Sequence, residues 1–270
     1  MIIDCFTFFN ELDLLEIRLK ELNPVIDYFV LVEANKTQSL TDKPYYFEIN
    51  KERYTKFLDK IIHIKVEDCP SNSQNLWEME NFQRNCIQRG YSNLNLGAED
   101  IILISDLDEI PSANILKYFE SNRITHPVSI DMSFYAYFIN LKAKHRNWIG
   151  TVAVPYEFMQ KTTPQQIRSM KDFYHRTNEI YGWHFSWLGG YEKVYEKAYS
   201  CIEPFDKNIL PLKEDFKQYF DRFLSSKDKF FIHLENLQKQ ETEFIKVEID
   251  KNYPEEVLNN LDFYKKFILK

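Results

Sequence analysis

Short apolar runs alternate with amphipathic stretches through the first part of the chain. Residues 2 to 9 form a run rich in Ile and Phe, and Asn10-Glu11-Leu12-Asp13-Leu14-Leu15-Glu16-Ile17-Arg18-Leu19 then takes up helical spacing behind Asn10 as the capping residue, so a strand followed by a helix is predicted. Asp27 to Glu33, with Tyr28-Phe29-Val30-Leu31-Val32 at its centre, predicts a second buried strand, and Ala34 to Lys43 a polar loop. Ile61-Ile62-His63-Ile64-Lys65-Val66 predicts a third strand by its β-branched content, and Trp77 to Arg89 a helix carrying Glu80, Gln83, Arg84 and Asn85 on neighbouring turns. Ile101-Ile102-Leu103-Ile104 is wholly apolar, the pattern of a central strand covered on both faces, and it runs straight into Ser105-Asp106-Leu107-Asp108-Glu109.

This alternation predicts an α/β fold with a central, mostly parallel sheet, in which ligands sit beyond the carboxyl ends of the strands. Ser129 to Ile139 and Gly150 to Pro155 read as strands of a second, less regular layer, and the chain from about residue 213 onward reads as mainly helical. The expected organisation is a catalytic domain over residues 1–212 with a helical C-terminal appendage, residues 213–270, packed on the same domain.

Composition narrows the partners. A 44% apolar fraction and 22 Phe with 17 Tyr suit a globular chain, while 34 basic against 41 acidic residues, with no basic cluster interleaved with aromatics, speak against nucleic acid. Cys5, Cys69, Cys86 and Cys201 are scattered and contain no Cys-x-x-Cys pair, so neither a zinc site nor a disulfide framework is expected. The N-terminus shows no basic region, cleavable apolar stretch or membrane anchor of about 20 apolar residues, from which a cytoplasmic location without a transmembrane segment is expected, with a peripheral membrane contact left open by the aromatic and basic C-terminal stretches.

Asp106, Asp108 and Glu109 place three carboxylates within four residues at the end of an apolar strand. Packing does not require that, and like charges held together raise one another's pKa unless a cation is offered to them. Were the segment extended, Asp106 and Asp108 would point the same way and suit one hard metal, with diphosphate oxygens filling its other positions. The alternative, that the acids only cap the next helix through Asp108 or Ser112 with Pro111 in its first turn, accounts for one carboxylate and not three. Gly182-Trp183-His184-Phe185-Ser186-Trp187, followed by Gly189-Gly190, reads equally as a sugar-stacking site with a histidine base and as an aromatic core strand ending in a glycine turn. His63, His126, His145, His175 and His233 stand alone along the chain and carry no such reading.

Taken together, these segments resemble glycosyltransferase family seventeen. The resemblance runs from Asp4 to Leu19, through Phe29-Val30-Leu31-Val32-Glu33 with Thr37 and Lys43-Pro44, then Trp77, Glu80 and Gln83-Arg84, the Ser105 to Pro111 segment, Trp148-x-Gly150 and Gly182 to Trp187. It implies a GT-A-like nucleotide-sugar fold, inversion at the anomeric carbon, a divalent metal (manganese or magnesium), a UDP-N-acetylglucosamine donor and a glycan or lipid-linked saccharide acceptor. Carried over, Asp106 and Asp108 would be the metal and diphosphate motif, Asn10, Glu11 and Glu33 would line the nucleoside pocket, Arg84 would approach the donor phosphates or sugar, and His184 with the flanking Trp183 and Trp187 would close the site near the reacting sugar. His184, Glu109 and Glu203 are the candidate bases; the family pattern has a histidine where Glu203 stands. Two rival readings are a metal-dependent phosphoryl or nucleotidyl transferase, disfavoured by only six glycines and no phosphate-cradling loop, and a non-catalytic carbohydrate-binding protein.

Overall fold

The computed structural model describes residues 1–37, 40–70, 76–200, 215, 217, 218 and 242–270. It divides into two compact units, one of Met1–Met132 with Ile149–Trp183, the other of Ser133–Trp148 with His184–Lys270. Of the expected helical appendage, residues 213, 214, 216 and 219–241 lie outside the described residues, as does Glu203, and the described remainder includes a strand, Phe244–Lys246, as well as short helices.

The first unit opens with β1 (Ile2–Thr7), α1 (Leu12–Leu22) and β2 (Tyr28–Ala34), followed by α2 (Tyr46–Asn50) and β3 (Ile61–Val66). Helix α1 starts from Glu11 rather than Asn10, with no side-chain cap bond, so the expected asparagine cap is absent from this helix. The helix expected from Trp77 to Arg89 is broken into α3 (Leu76–Asn85) and α4 (Ile87–Tyr91). Helix α4 lies close against the sheet: a Cβ on Gly90 would stand 2.3 Å from Val30 Cγ1, a contact that could be made only if Val30 or the helix shifted.

The apolar Ile101 stretch is β4 (Ile101–Asp106), followed by β5 (Glu109–Pro111) and α5 (Ala113–Ser121). Of the two segments expected in a second layer, the first forms β6 (Val128–Ala136), which ends short of Ile139, and the second is extended into β7 (Leu141–Pro155); both join the same sheet as β1 to β4 rather than a separate layer, and α6 (Tyr156–Met159), α7 (Pro164–Ser169) and β8 (His175–Ser186) follow. The strand order is β3-β2-β1-β4-β7-β6-β8-β5. β1 pairs in parallel with both β2 and β4, and β2 in parallel with β3, giving the expected parallel sheet, to which β7 is added antiparallel at β4.

Alternation along these strands puts Ile3 and Cys5 of β1, Val30 and Val32 of β2, and Ile102 and Ile104 of β4 into one buried cluster with Ile87, Val152, Val154 and Ile167. The opposite face of β1 carries Phe6 and Asp4, and there Arg18 of α1 lays its guanidinium 4.6 Å from the Phe6 ring centroid. In the second unit, α8 (Gly190–Ser200) and β9 (Phe244–Lys246) join the first part of β7, which pairs antiparallel with β9. Its core gathers Phe134, Tyr137, Leu141, Trp187, Val194 and Phe244. Among the described residues no helix is long and apolar enough to cross a membrane.

Candidate active site

At the carboxyl end of β4 the chain does not stay extended. Asp106 is the last residue of the strand, Leu107 and Asp108 form a turn, and Glu109 begins β5, so the alternation expected to align Asp106 with Asp108 does not apply. Nor does the segment serve mainly as a helix cap: Ser112 precedes α5 without a side-chain cap bond, and Pro111 belongs to β5.

The turn is held from beneath by Arg18. Its Nη1 donates to the carbonyl oxygens of Asp106, Leu107 and Glu109 at 3.0, 3.1 and 2.9 Å, while Nη2 donates to Ser105 Oγ at 2.6 Å. A guanidinium, with five donors in a rigid fork, can bind carbonyls and a carboxylate together where lysine could not.

Above the turn, Asp106 sits between two arginines. Arg84 Nη2 donates to Oδ1 at 2.9 Å and Arg168 Nη2 to Oδ2 at 2.6 Å. Burial alone would raise the Asp106 pKa, but the two guanidinium charges hold it well below the usual carboxylate range. Arg84 is fixed on α3 by Glu80 at 2.6 Å, one helical turn away, and by Gln165 of α7. Arg168 rides on α7, whose start is specified by Thr163-Pro164-Gln165-Gln166: the Thr163 hydroxyl accepts from the Gln166 N–H, the Gln166 side chain accepts from the Thr163 N–H, and Pro164 occupies the first turn. Asn85 Oδ1 accepts from Gln165 N at 3.0 Å and ties α7 to α3.

Glu109 is fully buried. It accepts from Arg168 Nη2 at 2.6 Å and from the Asp106 N–H at 3.3 Å, and the Lys171 ammonium stands 3.7 Å away. Burial pushes the Lys171 pKa down to about 8 against the pull of Glu109. Arg168 and Lys171 were not singled out by the sequence; the capping box at Thr163 was the available signal, since a helix of six residues is too short to show periodicity.

The remaining sequence-predicted residues fall in several places. Asn10 is buried just beyond β1, its Nδ2 without a partner among the described residues, and its N–H donates to Glu11 Oε2 at 3.1 Å. Glu33 is fully buried at the end of β2, where it accepts from Lys43 Nζ at 3.4 Å and from the Phe47 N–H in the first turn of α2 at 3.2 Å, with His63 Nε2 3.1 Å away. Trp183 belongs to the first unit; His184 and Trp187 belong to the second. There His184 stacks on Phe134 with ring centroids 5.1 Å apart and lies 4.3 Å from Trp148. Trp187 takes a positive φ of 57° at the end of the strand, and Gly189 and Gly190 follow with positive φ, so the segment does end in a glycine turn.

The donor set suits a divalent cation in part. Asp106 and Asp108 are hard oxygen ligands, both partly exposed, and an Asp106 oxygen that accepts one hydrogen bond keeps a second lone pair. Among the described residues no group of three His, Cys, Asp or Glu side chains surrounds a common point, so a metal here would draw its other ligands from substrate or water.

The profile of glycosyltransferase family 17 matches residues 1–201, which include the strands of the parallel sheet, the acidic turn, Arg84, Arg168 and His184. The chain belongs to glycosyltransferase family 17. Among family relatives, beta-1,4-mannosyl-glycoprotein 4-beta-N-acetylglucosaminyltransferases from rat and human are each 25% identical over 230 residues, covering 74% of this chain. This chain spans less than half the length of those relatives, 42% and 43%. The apo crystal structure of mouse xyloside xylosyltransferase 1 aligns at a TM-score of 0.29 with 11% identity over 63% of this chain and 74% of that one, a likeness too low to carry an argument.

Proposed function

We propose that this family 17 chain is a metal-dependent inverting transferase that moves N-acetylglucosamine from UDP-N-acetylglucosamine to a hydroxyl of a glycan or lipid-linked saccharide. The observation that carries the reading is Asp106, set at the carboxyl end of a central parallel strand between Arg84 and Arg168, with Asp108 in the turn beside it. Open α/β sheets bind nucleotides at that edge.

On this reading Arg84 and Arg168 donate to the donor diphosphate, for which each has an N–H without a partner among the described residues, Arg84 Nε and Arg168 Nη1. A manganese or magnesium ion held by Asp106 and Asp108 would neutralise the charge that develops on the departing nucleoside diphosphate. Asn10 would offer its unused Nδ2 to the nucleoside, with Glu11 beside it and Glu33 fixing the strand end. Trp183 would bear on the sugar. Glu109 is buried and paired with Arg168 and Lys171, which argues against it as the group that removes the acceptor proton.

Calorimetric titration with UDP and then UDP-N-acetylglucosamine, with manganese, with chelator and in the Asp108→Ala variant, tests the reading. Binding that needs the metal and is lost in the variant supports it. Failure of both nucleotides to bind the intact chain under every condition overturns it.

A further inference from the structure

Arg84, Arg168 and Lys171 meet Glu80, Asp106 and Glu109 in one continuous chain of ion pairs: Arg84 to Glu80 at 2.6 Å and to Asp106 at 2.9 Å, Arg168 to Asp106 and to Glu109 at 2.6 Å, and Lys171 to Glu109 at 3.7 Å. Cations and carboxylates match one for one in this set. A bare divalent cation approaching Asp106 therefore meets a carboxylate already neutralised by two guanidiniums and is repelled by both, whereas a diphosphate is attracted by both.

The two arginines are not equivalent. Arg84 is braced by Glu80 and Gln165 as well as by Asp106. Arg168 holds both of its acids through the single nitrogen Nη2, and its buried Nη1 has no partner among the described residues. A buried donor left unmade costs its full desolvation, so an anion that supplied the missing acceptor would be bound with that cost removed.

We infer that Arg168 couples the cation and the nucleotide: it covers Asp106 when no nucleotide is bound and turns its N–H groups to the diphosphate when one is, so that the cation binds weakly alone and tightly with a nucleoside diphosphate. The inference rests on the donor site proposed above. Its sign follows from charge. Removing the Arg168 guanidinium uncovers a net negative charge at Asp106 and Glu109, which favours a lone cation, and at the same time deletes a diphosphate donor.

The test is manganese binding, read from the paramagnetic resonance of the free ion, with and without UDP, for the intact chain, Arg168→Met and Arg168→Lys. In the intact chain UDP should tighten manganese binding about tenfold or more. Arg168→Met should bind manganese alone several-fold more tightly and lose most of the UDP-induced tightening. Arg168→Lys, which keeps the charge and loses the fork, should keep weak metal-only binding and also lose much of the tightening, so it decides the matter if Arg168→Met does not fold by circular dichroism. A variant that weakens manganese and UDP alike, or leaves the tightening as it was, overturns the coupling and leaves Arg168 a structural latch. Manganese taken up by UDP without protein is subtracted, and calorimetric titration of the intact chain with UDP separates the two failures: no UDP binding at all sinks the donor-site reading, whereas UDP binding without tightening overturns the coupling alone.

Discussion

Arg18 and Asp4 form a fully buried, doubly bonded ion pair, Nε to Oδ2 at 2.8 Å and Nη2 to Oδ1 at 2.6 Å. Asp4 lies in β1 and Arg18 on α1, and the same guanidinium carries the carbonyls of the acidic turn, so the pair connects the first βα unit to the metal-candidate carboxylates. Arg18→Met should cost about 3–5 kcal/mol of stability because it strands Asp4 in the core. The double variant Asp4→Leu, Arg18→Met should recover only part of that loss, since the three carbonyls stay without their donor. Urea unfolding of the three proteins measures both; full recovery in the double variant would show that the carbonyl bonds add nothing.

Gly90 and Val30 should couple in a double-mutant cycle. Alanine at Gly90 would press its Cβ to 2.3 Å from Val30 Cγ1 and 2.9 Å from Cγ2, a crowding that costs about 1–3 kcal/mol. Val30→Ala removes both methyl groups, so the pair should be less destabilised than the sum of the single changes by about 1 kcal/mol. Additive free energies would mean that α4 shifts away from the sheet instead.

Lys171 gives stability a specific pH dependence. Its folded pKa, pushed down by burial to about 8, lies below the unfolded value of 10.5, so between these values the unfolded chain binds the extra proton and stability rises with pH. Relative to Lys171→Met, the intact chain should gain about 2 kcal/mol from about pH 7.5 to about pH 9.5. A stability difference that is flat over that interval would place the ammonium in water.

The thiols should react in a fixed order. Cys5 and Cys86 are buried, and burial pushes both thiols up, Cys86 to about 11, while Cys69 is only half-buried. Brief alkylation near neutral pH, followed by peptide mass analysis, should label Cys69 ahead of Cys5 and Cys86. Equal labelling would contradict the packing of β1 and of the α3 to α4 break.

The parallel sheet was legible because its strands are short apolar runs set between polar segments, and each of β1 to β4 lies where the pattern predicts. The acidic turn stood out in the sequence because three carboxylates follow a buried strand, and the cations that pair with two of them were not visible there. Arg18 sits on the apolar face of α1 and reads as a misplaced charge until Asp4, equally misplaced in an apolar strand, is seen to be its partner. Arg168 comes from a short helix 62 residues beyond Asp106, and nothing in spacing links the two. The break between α3 and α4 was hidden because Cys86 keeps helical angles.

The capping box of α7 has a consequence for how the protein is made. A ribosome delivers Asp106 and Glu109 well before the Thr163 to Gln166 segment that seats Arg168, so a nascent chain bears Asp106 with only Arg84 of its two guanidiniums and Glu109 without Arg168 or Lys171. Until that late helical turn docks, the Glu109 carboxylate lacks the cations it is buried against, so the acidic turn reaches its final packing only after synthesis has passed Lys171.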